Sequence, residues 1–286
     1  MKLIKFVSCV LLAAALSGCC SIGCGCRCHD GKEPNISVFA SFIRRTAKER
    51  NVSLAEAADM LYELGVRGFD VGPRDKDLPE LAATKLKPIN FYFFPKMFAA
   101  DNGAADCRFC MDKACEFGVP RVMVVPSSFT RGGDEEAEFA KVLSSMRMFV
   151  EEGRKRGITI TVEDFGGTSN PGSQAKYLKR LLDEIPGLCF ALDSGNLYYA
   201  GRGEDILEMM DYAKGRIAHV HLKDQTRENN RQYTTLGLGA VPNEKIVKAV
   251  SAMGYDGWYT LENPVGDVYT DSVRQVAVLK SWLAGR

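Results

Sequence analysis

The chain has 286 residues, 46% of them hydrophobic and 26% charged. That is enough apolar content for one sizeable globular domain and too much for a disordered or low-complexity protein. With 37 basic against 36 acidic residues the net charge is +1, so no global field draws a polyanion, and nucleic acid is not expected as a partner.

The N-terminus differs in kind from the rest. Lys2 and Lys5 precede an apolar run from Phe6 to Leu16, the length of a signal-peptide core and too short to span a bilayer comfortably. Leu16-Ser17-Gly18-Cys19 follows and resembles the bacterial lipobox, which implies lipidation of Cys19. Residues 1–18 are therefore expected to be a lipoprotein signal peptide and residues 19–33 a Cys-rich tether. The mature protein is expected to be exported and held, periplasmic or at the outer membrane, through its lipid anchor only. Cys20, Cys24, Cys26 and Cys28 beside His29 fit a soft-metal site, but in an oxidising compartment disulfides or a disordered tether are the preferred reading.

From residue 34 to 286 strand and helix signals alternate without a break in composition, which predicts a single domain. Strand-like runs span Ile36 to Ala40, Arg67 to Val71, Ile89 to Phe94, Arg121 to Pro126, Ile158 to Glu163, Cys189 to Asp193, Ile217 to Leu222 and Trp258 to Glu262. Helical patterns run from Ser53 to Leu64, Leu78 to Thr84, Ala104 to Phe117, Asp134 to Arg156, Ser173 to Ile185, Glu204 to Lys214, Asn243 to Met253 and Asp271 to Leu283. Short apolar strands alternating with helices predict a parallel sheet, because parallel neighbours need helical crossovers. Eight such units fit a closed (β/α)8 TIM barrel, and no phosphate-binding glycine loop follows an early strand to favour an open nucleotide-binding sheet. Cys107, Cys110, Cys115 and Trp258 are expected in the core. Phe91 to Phe94 are expected there too, except for any that reaches the mouth and walls the pocket.

Strand ends carry the chemistry. In Ile217-Ala218-His219-Val220-His221-Leu222 the two histidines share one face while Ala218, Val220 and Leu222 share the other. The same alternation puts Glu163, Asp193 and Glu262 on the polar faces of their strands. Four consecutive strands thus end in a potential metal ligand or acid/base group, where barrel enzymes collect catalytic residues. Asp70 and Lys96 are candidates for the rim.

The strings V-E-D, A-L-D-S-G-N, A-H-V-H-L-K-D and G-Y-D-G-W-Y-T-L-E-N resemble the xylose isomerase-like TIM barrels, which include sugar isomerases and epimerases, inosose dehydratases and the endonuclease IV type. The resemblance to ketose 3-epimerases implies that Glu163, Asp193, His221 and Glu262 bind one divalent ion, and it offers Arg227 as a substrate-orienting group. Two positions depart from the pattern. Asn196 stands where many relatives have a histidine, and Ser169 stands where ketose epimerases place a substrate-binding acid. The endonuclease reading fails on histidines: its trinuclear zinc cluster needs about five, whereas the barrel supplies His219 and His221.

Three carboxylates and one imidazole suit Mn²⁺, Mg²⁺ or Co²⁺ ahead of Zn²⁺. The expected function is a metal-dependent isomerase or epimerase acting through an enediolate on an unphosphorylated sugar or keto-sugar. Glu163 and Glu262 are the proton-transfer pair, and His219, Asn196 and Arg227 are candidate substrate contacts, with support of the metal ligands the other reading for His219. The alternatives are a lyase or dehydratase on a keto-glycoside or keto-cyclitol with the same site, and a non-catalytic sugar-binding lipoprotein. The sugar, the native metal and any oligomer stay open.

Overall fold

The computed structural model describes residues 33–167, 169–227 and 232–284. The expected signal peptide and Cys19 lie outside the described residues. In chain order the elements are β1 (Asn35–Phe39), α1 (Ala40–Arg50), α2 (Leu54–Glu63), β2 (Val66–Val71), α3 (Leu78–Ala82), β3 (Lys87–Phe93), α4 (Ala104–Glu116), β4 (Arg121–Val124), α5 (Glu135–Arg156), β5 (Thr159–Glu163) and α6 (Ala175–Glu184). There follow β6 (Cys189–Asp193), α7 (Asn196–Tyr199), α8 (Glu204–Tyr212), β7 (Ile217–Leu222), β8 (Asp224–Gln225), β9 (Tyr233–Thr234), α9 (Asn243–Ala252), β10 (Trp258–Leu261) and α10 (Val268–Leu283). The eight long strands form a closed parallel barrel in the order β1-β10-β7-β6-β5-β4-β3-β2. The chain therefore forms the expected (β/α)8 barrel.

Alternation along the strands builds it. Outward positions such as Val38, Phe69, Val162, Leu192, Val220 and Leu261 are fully buried beneath the helices, each contributing about 1.5–3 kcal/mol of burial. Inward positions are unusually polar: Ser37, Asp70, Asn90, Thr161, Asp193, His219, His221 and Thr260 are all fully buried. Local signals stop and start the helices. Ser53 and Glu56 form a capping box on α2. Asp134 caps α5, which ends at Gly157 in the left-handed conformation.

Some expectations differ from the structure. α1 follows β1 without a loop, although its buried residues Ala40, Ile43 and Ala47 have helical spacing and the strand pattern runs on to Ala40. The polar stretch after β7 holds a small antiparallel hairpin, β8 with β9. Trp258 is half-buried and Cys115 exposed rather than core, the latter because it lies off the buried face of α4 formed by Cys107, Cys110, Met111 and Ala114. Phe94 is 55% exposed, whereas Phe91, Phe93, Cys107 and Cys110 are buried as expected.

Candidate metal centre

Glu163 and Asp193 close β5 and β6, His221 is the last residue but one of β7, and Glu262 follows β10 directly. One ligand atom from each lies within 4.8 Å of the others. His221 Nδ1 stands 2.7 Å from Glu163 Oε1, 3.8 Å from Glu262 Oε2 and 3.9 Å from Asp193 Oδ2. The turn after β6 aims Asp193: its Oδ1 accepts hydrogen bonds from the amides of Gly195 (2.7 Å) and Asn196 (2.8 Å), leaving Oδ2 to face the centre.

The donor set fits a divalent cation. Asp193 Oδ2 and Glu262 Oε2 are buried and turned to the centre, where the Lys223 ammonium meets them at 3.0 and 2.7 Å, so cationic charge already stands against the oxygens a divalent ion would use. Burial and the neighbouring Asp193 push the Glu262 carboxyl up to about 8. Burial also raises Glu163, and burial with Asp193 raises Asp164 well above the carboxylate range. The site thus crowds more negative charge than it can hold ionised, which added positive charge relieves.

Beneath the four ligands Asp70 is the hub of a buried network. Its Oδ2 is 2.8 Å from His219 Nε2 and 3.0 Å from His221 Nε2, and it accepts from Asn90 Nδ2 at 2.6 Å. Thr260 Oγ1 lies 3.3 Å from its other oxygen and 2.6 Å from Ser37 Oγ. Burial alone would raise the Asp70 carboxyl, but the two imidazoles outweigh it and hold it well below the usual range. His219 is pushed down to about 4 by burial, and Arg121 Nη1 lies 3.3 Å from its Nδ1. Hydrogen-bonding logic puts a proton of His219 on Nε2, toward Asp70, while His221 stands between two acceptors, with Nε2 toward Asp70 and Nδ1 toward Glu163 and the four-residue centre. Asp70, His219 and His221 also converge closely enough to hold an ion, but each is committed to these hydrogen bonds.

Lys223 also reaches the centre, although it was not among the expected site residues. Its Nζ lies 2.7 Å from Glu262 Oε2 and 3.0 Å from Asp193 Oδ2. The signal was present, because Lys223 continues the parity of His219 and His221 onto the inner face. Among the other expected site residues, Asn196 is buried and donates from Nδ2 to the Asp164 carbonyl at 2.8 Å. Arg227 is exposed between β8 and β9, and Ser169 and Lys96 are exposed. Asp70, expected at the rim, is fully buried. An aromatic wall completes the mouth: Phe39 meets the His221 ring edge-on at 5.1 Å and stacks on Tyr92 at 5.2 Å, while the exposed Phe94 meets Phe165 at 5.8 Å.

Residues 63–282 match the family model described as the xylose isomerase-like TIM barrel. The chain belongs to this family. Among curated proteins this xylose isomerase-like barrel is 26% identical over 145 residues to an inosose dehydratase of Geobacillus thermodenitrificans, covering 44% of this chain and 47% of that one. An inosose dehydratase of Histophilus somni is 25% identical over 146 residues, 44% of this chain and 48% of that one. The chain thus matches about half the length of these curated relatives. Among solved structures, the probable 3-DHS dehydratase AsbF of Bacillus anthracis superimposes with a TM-score of 0.70 at 16% identity, covering 86% of this chain and 98% of that one. A D-tagatose 3-epimerase-like protein gives 0.70 at 18% identity over 87% and 97%. The IOLI protein with a bound zinc atom gives 0.68 at 16% identity over 88% and 97%. These structural likenesses establish the shared fold.

Proposed function

We propose that the barrel is a divalent-metal-dependent isomerase or epimerase of an unphosphorylated sugar or keto-sugar, working by proton transfer beside a carbonyl. The observation that carries this reading is the convergence of Glu163, Asp193, His221 and Glu262 at the strand ends, with one potential ligand atom from each within 4.8 Å of the others. A divalent ion held there, Mn²⁺, Mg²⁺ or Co²⁺ ahead of Zn²⁺, supplies Lewis-acid polarisation of a carbonyl and its neighbouring hydroxyl. Glu163 and Glu262 arrive from β5 and from the end of β10, so one removes a proton from the substrate carbon and the other returns it. Return to the opposite face of the enediolate gives the epimer, and return to the neighbouring carbon gives the isomer. Both ring nitrogens of His219 are engaged, so we assign it to holding His221 through Asp70 instead of to substrate contact. Asn196 and the exposed Arg227 stay assigned to the substrate side.

A second reading shares the first proton abstraction and then expels a β-hydroxyl, making the protein a dehydratase of a keto-cyclitol or keto-glycoside. It is favoured by the curated relatives, both inosose dehydratases. Nuclear magnetic resonance of metal-loaded protein with ketoses, keto-glycosides and keto-cyclitols separates the two. A new stereoisomer or positional isomer supports the first reading, and an unsaturated product with new ultraviolet absorbance replaces it with the second. Sugar binding without product in any arm means a non-catalytic binder.

Lys2 to Cys19 support a further assignment, export with a lipid anchor on Cys19. Expressed in a bacterial host, wild-type protein is expected to take up labelled fatty acid and Cys19→Ala to take up none; equal labelling contradicts the anchor.

A further inference from the structure

We propose that Lys223 is a tethered cation that shares Asp193 and Glu262 with the divalent ion, so that binding the ion displaces the ammonium; the proposal rests on the metal-centre reading above. Nζ contacts the two carboxylate oxygens that face the ligand centre, at 3.0 and 2.7 Å. The contact is ionic, and an ammonium on a flexible stem can leave it in a way that a bidentate guanidinium could not.

The place of the lysine is built by two segments. At its root, the Lys223 amide donates to Ser194 Oγ at 3.2 Å, and its carbonyl accepts from Ser194 Oγ at 3.2 Å and Asn243 Nδ2 at 3.0 Å. Gly195 supplies the independent observation. Its φ of −112° is open to any residue, yet a Cβ there would stand 2.4 Å from Lys223 Cγ and 2.9 Å from Gln225 Nε2. Glycine is needed at this position for the passage of the lysine stem, not for the backbone. The turn after β6, which aims Asp193, is therefore shaped around the side chain that neutralises Asp193.

Lys223 keeps two buried carboxylates from repelling each other, but an ion among the same oxygens must first displace the ammonium from both. The lysine should therefore stabilise the chelated protein and weaken ion binding. The test is calorimetric titration of chelator-treated full-length protein with MnCl₂, together with thermal melting. Lys223→Met is expected to tighten Mn²⁺ binding by about tenfold or more. It should lower the Tm of the chelated protein by roughly 5–10 °C, with the gap closing at saturating Mn²⁺. Gly195→Ala keeps every charge and crowds the stem, so it should move both quantities the same way by less, and it decides the matter if Lys223→Met does not fold. A wild type that binds one ion with Lys223→Met binding no tighter, or Gly195→Ala binding no tighter where Lys223→Met does not fold, overturns the proposal and leaves the metal centre standing. Wild type and variants that bind no ion at all overturn both.

Discussion

His221→Ala is expected to abolish stoichiometric binding of a divalent ion, read by elemental analysis of protein purified without chelator, while circular dichroism stays that of a folded barrel. The wild type should carry close to one ion. His221 supplies the single nitrogen ligand, and its removal takes from buried Glu163 its partner at 2.7 Å and from Asp70 one of its two imidazoles, at a cost of about 3–5 kcal/mol. Asp193→Ala would also strip the Gly195 and Asn196 amides of their acceptor, so Asp193→Asn isolates the ligand effect. Asp70→Asn keeps all four ligands and should weaken binding about 10- to 100-fold, the usual effect of losing the partner of a metal-bound histidine. The pH dependence has a definite sign. Asp70 and Glu163 outweigh burial and raise His221 well above its ordinary value, while burial and Asp193 push Glu262 up to about 8. Both groups must shed protons to ligate, so affinity should climb with pH through neutrality to beyond about 8, and binding should release protons. Three bound zinc ions, or affinity indifferent to pH, would contradict this centre.

Glu262→Gln is expected to lower turnover by roughly 10² to 10⁴, the usual contribution of a positioned general acid or base, with a much smaller change in metal content. The amide keeps the size of the side chain and one oxygen ligand but cannot carry the proton. Glu262 suits that task better than Asp193, because Asp193 Oδ1 is committed to two backbone amides while the Glu262 side chain remains 20% exposed. Glu163→Gln should also suppress turnover, with a larger loss of metal because its carboxylate contacts His221 directly at 2.7 Å. Equal losses of metal and activity in Glu262→Gln would make it a ligand alone.

The barrel and the shared inner face of Glu163, Asp193, His221 and Glu262 were legible because both follow from period-two alternation. A strand with an aliphatic outer face and a polar inner one announces its direction, and the last inward residue falls at the mouth. Lys223 obeys the same parity but lies one residue past β7, where a lysine reads as surface, and only the structure shows it turning inward over Gly195. Asp70 was visible as a strand-end acid, but not as a hub, since its partners His219, His221, Asn90 and Thr260 come from three other strands and meet only when the sheet closes. α1 was hidden by its seamless junction with β1. Substrate choice is written in side chains such as Phe94 and Arg227 that follow no period, and sequence alternation is silent about them.

The central claim is proton abstraction beside a carbonyl, dependent on a divalent ion. Its most direct test is to incubate the Mn²⁺-loaded wild type in D₂O with the ketoses and keto-cyclitols and to follow deuterium by nuclear magnetic resonance. The account predicts deuterium on the carbon next to the carbonyl, lost on chelation and restored by Mn²⁺. In a dehydratase the same C–H bond breaks but water is expelled as the product forms, so that product is counted as the equivalent outcome. A sugar that binds the metal-loaded protein stoichiometrically, with neither exchange nor product, would contradict the account.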